Sequence, residues 1–340
     1  MLTETSVPRP RLLVDTKGRV AAKLRISVTD RCNFACLFCM PDKASVRWLP
    51  SADLLSFDEI ERVTRVFVSM GISKVRITGG EPLLRPGVED LVKRLTSIPR
   101  LKSVDMTTNG WFLGARAQAL KAAGLRGVTI SLHSLKPDRF AKISGINALP
   151  RVLESISEAN RVGLGPLKIN CVAIRGYNDD EILNLVDYGR NLNVTIRFIE
   201  FMPLDGLDIW DRDKMVTGQE ILDTVRSKFS ILPAGRGDGE TASIWKFADG
   251  RGEVGVITPM SEPFCDDCDR LRLTSDGKLL SCLFDTEYHD LKPILRNRDD
   301  DERLAAFIRE SVWKKPEGVG YMPWIKQGWK NPRNMNAIGG

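Results

Sequence analysis

Six of the seven cysteines in this 340-residue chain fall into two groups of three. Cys32, Cys36 and Cys39 stand in C-x3-C-x2-C spacing within 29-TDRCNFACLFCMP-41, and Cys265, Cys268 and Cys282 form C-x2-C-x13-C. Structural zinc asks for four ligands in a closed tetrahedron. The chain holds two histidines, His133 and His289, and neither lies near the first group. Three thiolates instead suit a cubane [4Fe–4S] cluster with one iron left unligated by protein. A free iron can chelate a small molecule through an amine and a carboxylate. S-adenosylmethionine carries both, and reductive cleavage of its sulfonium yields a carbon radical able to take hydrogen from an unactivated C–H bond. In such chemistry the cofactors do the hard step and the protein supplies position. The second group admits two readings: a zinc ribbon borrowing Asp266, Asp267 or Asp269, or a second cluster with its own free iron. Cys171, mid-strand on an apolar face, reads as a core residue.

The elements that must position these thiols alternate at intervals of roughly 25–30 residues, the rhythm of βα units. Strands are expected at 23–29, 74–79, 103–108, 127–132, 167–174 and 194–201. Helices are expected in the gaps, the clearest opening on Ser56 and Glu59 in capping-box spacing and closing at Gly71. Further helices end at Gly124 and Gly163. Six parallel strands follow, as an open sheet or a partial barrel. The rhythm stops near residue 217, which divides the chain into 1–216 and 217–340. Beyond it lie a helix, two short strands, a hairpin turning at Asp276–Gly277 and a polar helix at 300–315.

Alternation along the strands separates two faces. Leu24, Ile26, Val75, Ile77, Val128, Ile130 and Ile169 share one, which should meet the helices. Arg25, Arg76, Asp105, Thr107, Thr129, Ser131, Lys168 and Asn170 share the other. A closed barrel usually fills its interior with Val, Ile and Leu. A polar lining is poorly satisfied there unless a polar, negatively charged guest occupies it. The competing reading is a one-sided sheet wetted on its polar face. Arg270 and Arg272 point one way from their strand and either join this lining or decorate a solvated hairpin. Arginine forks match phosphate oxygens.

Bulk composition narrows the classes. The chain is 42% hydrophobic and 28% charged, with formal net charge +6, so it can build a large core and is not disordered. No apolar run reaches a membrane span, and the first residues lack the apolar stretch of a signal peptide. A cytoplasmic location is the expectation, where disulfides are disfavoured. A zinc-stabilised nucleic-acid-binding protein remains the reading of a different class; no aromatic–basic repeat supports it.

The C-x3-C-x2-C after the first strand, with Gly79-Gly80-Glu81-Pro82 after the second, resembles the radical S-adenosylmethionine superfamily. LVDTKGR, KLRISVTDRCNFACLFCMP, KVRITGGEPLLR, TTNG, RFIEFMP, FCDDCDRLRLTSDGK and the terminal Gly339-Gly340 are similar, within it, to the GTP 3′,8-cyclase family. The resemblance implies an incomplete (βα)6 TIM-like barrel with a C-terminal extension carrying a second iron–sulfur cluster. It implies two [4Fe–4S] clusters: one on Cys32, Cys36 and Cys39, with S-adenosylmethionine near Phe38, Gly80, Ser131 and Met202, the other on Cys265, Cys268 and Cys282. It implies GTP contacts at Arg25, Arg76, Thr107, Lys168, Arg270, Leu271 and Arg272. The implied reaction converts GTP to (8S)-3′,8-cyclo-7,8-dihydroguanosine 5′-triphosphate, for cyclic pyranopterin monophosphate synthase downstream in molybdenum cofactor biosynthesis. A flavodoxin or ferredoxin as electron donor and a homodimeric assembly are further expectations, with no nucleic acid and no membrane. The tail resembles a family end that reaches the active site. His133 departs from the Asp common in the family and reads as a local hydrogen-bonding residue. A related radical enzyme acting on peptide or RNA is the nearer rival.

Overall fold

The computed structural model describes residues 12–204, 209–297, 300–319 and 335–339. Six parallel strands form its spine: β1 (Lys23–Ser27), β2 (Lys74–Thr78), β3 (Ser103–Thr108), β4 (Gly127–Ser131), β5 (Leu167–Ala173) and β6 (Thr195–Glu200). The intervening helices are α1 (Phe57–Ser69), α2 (Val88–Thr96), α3 (Leu113–Ala122), α4 (Pro137–Ser144), α5 (Leu149–Arg161) and α6 (Ile182–Leu192). The capping box of α1 forms as the spacing predicts: Glu59 N–H donates to Ser56 Oγ at 3.1 Å, and Ser56 N–H to Glu59 Oε2 at 2.7 Å. The pattern does not mark α2 or α4. Neither has a side-chain cap, and α2 starts instead on Gly87 in the left-handed region, φ +71°.

The later segment adds α7 (Gly218–Arg226), β7 (Ile231–Gly235), β8 (Ser243–Phe247), β9 (Glu253–Ile257), β10 (Arg270–Leu273), β11 (Lys278–Leu280), β12 (His289–Asp290), α8 (Lys292–Arg296), α9 (Asp301–Trp313) and α10 (Met335–Ile338). His289 lies on β12, an edge strand of the sheet. β10 pairs parallel with β1, and β9 parallel with β6. All twelve strands form one sheet in the order β12-β11-β10-β1-β2-β3-β4-β5-β6-β9-β8-β7. Strands from both sides of residue 217 thus share it.

The outward face carries the core. Leu24, Ile26, Val75, Ile77, Met106, Val128, Ile130, Ile169, Ile196 and Leu271 are essentially inaccessible and pack with the helices. Each such side chain contributes roughly 1.5–3 kcal/mol by burial. The parallel registers set the other face in rows, Arg272 beside Arg25, Arg25 beside Arg76 and Arg76 beside Asp105. No helix among the described residues is long and apolar enough to cross a membrane.

Buried acids brace the strand ends. Glu200 closes β6 and accepts from Gly218 N–H at 2.8 Å and from Met260 and Ser261 N–H at 3.0 Å each. It ties β6 to α7 and to the turn after β9. Glu200→Ala leaves three backbone donors unpaired and lowers unfolding free energy by about 3 kcal/mol or more in urea titration. Glu200→Gln, which keeps an acceptor oxygen, loses less.

Candidate active site

The first triad sits where β1 ends. Gly80 N–H donates to Thr29 O at 2.7 Å and Glu81 N–H to Arg31 O at 2.8 Å, zipping the loop after β2 to the cysteine loop. Glycine is required for that approach. A Cβ on Gly79 would lie 2.6 Å from Thr29 O, and one on Gly80 would strike the Arg31 carbonyl. Glu81 does not face the ligand space; it accepts from Leu83 N–H at 3.0 Å, Thr108 Oγ1 at 2.7 Å and Asn109 N–H at 2.7 Å. Cys39 and Met40 N–H both donate to Cys36 O, a turn that gathers two of the thiols. Burial pushes Cys32 up to about 11, and pushes Cys36 and Cys39 up as well, the latter two each also opposed by a neighbouring cysteine. Bare, the three thiols hold their protons. A bound cation is what makes such a group thiolate.

The second triad lies at the opposite end of the strands. β10 runs parallel to β1, Cys265 and Cys268 precede it, and Cys282 follows β11, which returns antiparallel. The hairpin turns at Asp276–Gly277 as expected, with Gly277 at φ +86°. Burial raises Cys265, and raises Cys282 to about 11. Cys268 alone goes down, because Arg270 and Lys315 outweigh its burial. Two of the three aspartates open to a zinc ribbon are engaged elsewhere: Asp267 with Arg236 at 2.7 Å and Asp269 with Lys23 at 3.2 Å. Among the described residues no three His, Cys, Asp or Glu side chains converge around a single ion. Each triad supplies three thiols, the number a cubane takes from protein when one of its irons is left free.

A cavity of about 890 Å³ joins the two triads. It is within the range of small-molecule sites. Phe38, Gly80, Ser131 and Met202 line it with the first triad; Arg25, Arg76, Thr107, Lys168, Arg270 and Arg272 line the remainder. Leu271 is corrected: alternation along β10 turns its side chain outward into the core. Thr107 Oγ1 is buried with no hydrogen-bond partner among the described residues. Sequence reading missed Arg197, which lines the same space and donates to Asn170 Oδ1 at 3.0 Å and Thr129 Oγ1 at 3.1 Å. Alternation along β6 was the available signal.

This lining is short of anions. Asp105 reaches Arg76 at 3.6 Å, and Glu240 reaches Lys23 at 3.0 Å. Burial and then Arg272, Arg76 and Arg270 push Arg25 well below the usual arginine value. Arg272 and Arg197 fall to about 10, each by burial first and a neighbouring arginine second, and Lys168 falls for the same reasons. The C-terminal tail partly answers the demand. Arg272 donates to the Gly339 carbonyl, and Asn336 Nδ2 donates to Asp30 O at 2.8 Å. A Cβ on Gly339 would lie 2.9 Å from Thr78 Cγ2. The tail therefore enters the cavity as far as Gly339; Gly340 lies outside the described residues.

His133, at the end of β4, accepts from Val172 N–H through Nδ1 at 3.2 Å, so its proton sits on Nε2. Nε2 is buried without a partner among the described residues, and the ring meets Phe38 edge-on at 4.7 Å. The residue is local and hydrogen-bonded, as its sequence setting predicts.

Two family models match the chain: Radical SAM superfamily over residues 26–189, and Molybdenum Cofactor Synthesis C over 194–321. The GTP 3′,8-cyclase of Streptomyces coelicolor is 43% identical over 333 residues, 97% of this chain and 96% of that protein. The chain belongs to the GTP 3′,8-cyclase family. The Aquifex aeolicus member is 42% identical, covering 89% of this chain and 92% of its own. Among solved structures, Streptococcus suis SuiB bound to S-adenosylmethionine shares the fold, with TM-score 0.62 at 15% identity over 95% of this chain and 77% of that one. Two [4Fe–4S] clusters and S-adenosylmethionine are the family's cofactors, and the two triads fit that number.

Burial pulls His133 down to about 4, so the fold favours the neutral ring. Below its ordinary value near 6.5 the unfolded chain takes up a proton that the native chain refuses. Stability is therefore whole above about pH 6.5 and lost as pH falls toward 4. Between about pH 7.5 and about pH 5.5 the loss is about 1 kcal/mol. Urea titrations at both ends should show His133→Gln with that share of the pH slope removed; an unchanged slope assigns it to other groups.

Proposed function

We propose that this chain is a GTP 3′,8-cyclase acting in the cytoplasm in molybdenum cofactor biosynthesis. One observation carries the reading: two cysteine triads at opposite strand ends share one cationic cavity. When bound, the clusters and S-adenosylmethionine would supply the one-electron chemistry: removal of the ribose 3′ hydrogen of GTP, C3′–C8 bond formation, and uptake of one electron from the reductant and one proton to give (8S)-3′,8-cyclo-7,8-dihydroguanosine 5′-triphosphate. Cys32, Cys36 and Cys39 hold one cluster, and Cys265, Cys268 and Cys282 the other.

The chain's own residues bind and orient. Arg25, Arg76, Lys168 and Arg197 neutralise the triphosphate, whose charge relieves their mutual repulsion. Thr107 supplies a hydroxyl that is otherwise unpaired. Arg270 and Arg272 bracket the substrate beside the second triad, and Phe38, Gly80, Ser131 and Met202 surround S-adenosylmethionine. Holding the ribose against the radical carbon while excluding other hydrogen donors is where such a site contributes most. A flavodoxin or ferredoxin reductant, cyclic pyranopterin monophosphate synthase as the consumer of product, and a homodimer complete the proposal.

Anaerobically reconstituted enzyme should contain about eight iron per chain, the sum for two cubanes. Given S-adenosylmethionine, reductant and each nucleoside triphosphate in turn, it should form 5′-deoxyadenosine with GTP and yield the cyclised nucleotide. Indifference to GTP would sink the cyclase reading and favour a peptide or RNA substrate. Arg76→Ala should lower kcat/KM for GTP at least about tenfold, chiefly through KM. Cys265→Ala should abolish cyclised product while leaving the first cluster able to bind S-adenosylmethionine.

A further inference from the structure

Lys315 is a cation that the reaction as described does not use. It follows α9, is 5% exposed, and pairs with no carboxylate among the described residues. Its Nζ instead donates to Cys268 O at 2.7 Å and Arg270 O at 3.1 Å and lies 3.6 Å from Cys268 Sγ. A buried ammonium without an anion is costly. With a cluster bound, the Cys268 thiolate would be the anion within its reach, shared with Arg270, whose Nη2 donates to the same sulfur at 3.2 Å.

The backbone that follows Lys315 keeps to the same triad. Gly318, at φ +146°, passes so close to Cys265 that a Cβ would strike its side chain. Val319 N–H donates to the Cys265 sulfur. Arg19 fastens this strap from the other side, donating to Cys265 O at 2.9 Å, Pro316 O at 2.7 Å and Glu317 O at 2.8 Å. Asp15, 2.6 Å from Arg19, holds that guanidinium in place. Residues 315–319 are thus built around the second triad. Among the described residues no buried ammonium hydrogen-bonds a sulfur of the first triad; the side-chain donor there is the neutral amide of Asn109, 3.8 Å from Cys32 Sγ.

We propose that Lys315 is a positioning residue of the second cluster site, whose ammonium hydrogen-bonds the Cys268 thiolate and favours the more negatively charged, reduced state of the cluster held there. The inference rests on the reading of Cys265, Cys268 and Cys282 as that cluster's ligands. A cubane on three thiolates is an anion and gains one further negative charge on reduction. A fixed neighbouring cation stabilises the reduced form more than the oxidised one, and hydrogen bonds to cluster sulfurs act in the same direction.

The test uses the full chain carrying Cys32→Ala, Cys36→Ala and Cys39→Ala, so that only the second cluster remains. The midpoint of that cluster is followed by electron paramagnetic resonance in an anaerobic redox titration. Lys315→Met should shift the reduction equilibrium about tenfold toward the oxidised form, about 59 mV for one electron. Lys315→Arg should restore most of the shift. A Lys315→Met protein with full iron and an unmoved midpoint overturns the proposal. Should Lys315→Met fail to keep its iron while Lys315→Arg keeps it, the melting point of the metal-free chain decides. An unchanged melting point supports the role at the cluster, and a clearly lower one assigns Lys315 to structure alone and overturns the proposal. If the parent with only the second triad binds no iron, the ligand assignment itself falls, and that outcome is recognisable before any Lys315 variant is made.

Discussion

Unbalanced positive charge turned inward is the constraint around which this molecule is organised. Arg25, Arg76, Lys168, Arg197, Arg270 and Arg272 face one cavity, against which Asp105 and Glu240 provide the acidic counterweight. Two like charges 4 Å apart repel by on the order of 4 kcal/mol at an effective dielectric of about 20. A few such pairs rival the whole stability of a typical domain, about 5–15 kcal/mol. Water in the open cavity screens part of this, and the tail carbonyl at Gly339 offsets part at Arg272. The remainder is a standing preference for an anion, present before any ligand arrives.

Such a lining survives because the same strands are apolar on their other face. Period-two alternation gives each strand one set of side chains for the core and one for the cavity, so the fold's stability and the site's charge are carried by adjacent residues. The parallel registers then fix which cations stand side by side. At the strand ends, buried polar groups satisfied by backbone hold the ligand-bearing loops. Glu81 secures the turn at Asn109, Glu181 accepts from Ser134 Oγ and Leu135 N–H, and Asn178 Nδ2 donates to His133 O at 2.7 Å. Glu81, Glu181 and Asn178 do not line the cavity. They limit how far Ser131, His133 and the first triad can move, and that rigidity is what positional catalysis requires.

Local physics made much of this legible in sequence. The alternation, the capping box at Ser56 and Glu59, the Asp276–Gly277 turn and the cysteine spacings each depend on residues close together in the chain. Pairing between distant segments does not. That β10 lies against β1 and β9 against β6 follows from which strands fit the free edges of the sheet, and no local pattern records it. Arg270 and Arg272 read as either lining or solvated hairpin for this reason, and β10's place in the sheet resolves them. Arg197 escaped although it alternates with Phe198, because the apolar run around it masks the period. Leu271 was carried along by its neighbours in RLRL, whereas the strand's own geometry separates it from them. Lys315 was invisible because the residues it serves are about fifty positions away.

The position of each charge along the strands also orders the cavity from end to end. Lys23, Lys74 and Arg270 stand in one row at the strand starts, and Arg25, Arg76 and Arg272 in the next. Toward the strand ends the same faces carry Ser27, Thr78, Thr107, Thr129 and Ser131, then Ile199, and they meet Phe38, Met202 and the neutral ring of His133. The arginine row of Arg25, Arg76 and Arg272 therefore lies toward the strand starts, while Lys168, level with Thr129, and Arg197, level with Asn170 and Ser131, carry positive charge farther toward the first triad. A sulfonium, itself a cation, is repelled by the arginine rows and tolerated among hydroxyls, aromatic edges and thioether. A triphosphate has the opposite preference. With a thiol triad at each end, the arginine rows beside the second triad favour an anionic ligand there, and the hydroxyl, aromatic and thioether groups beside the first triad are the less cationic surroundings.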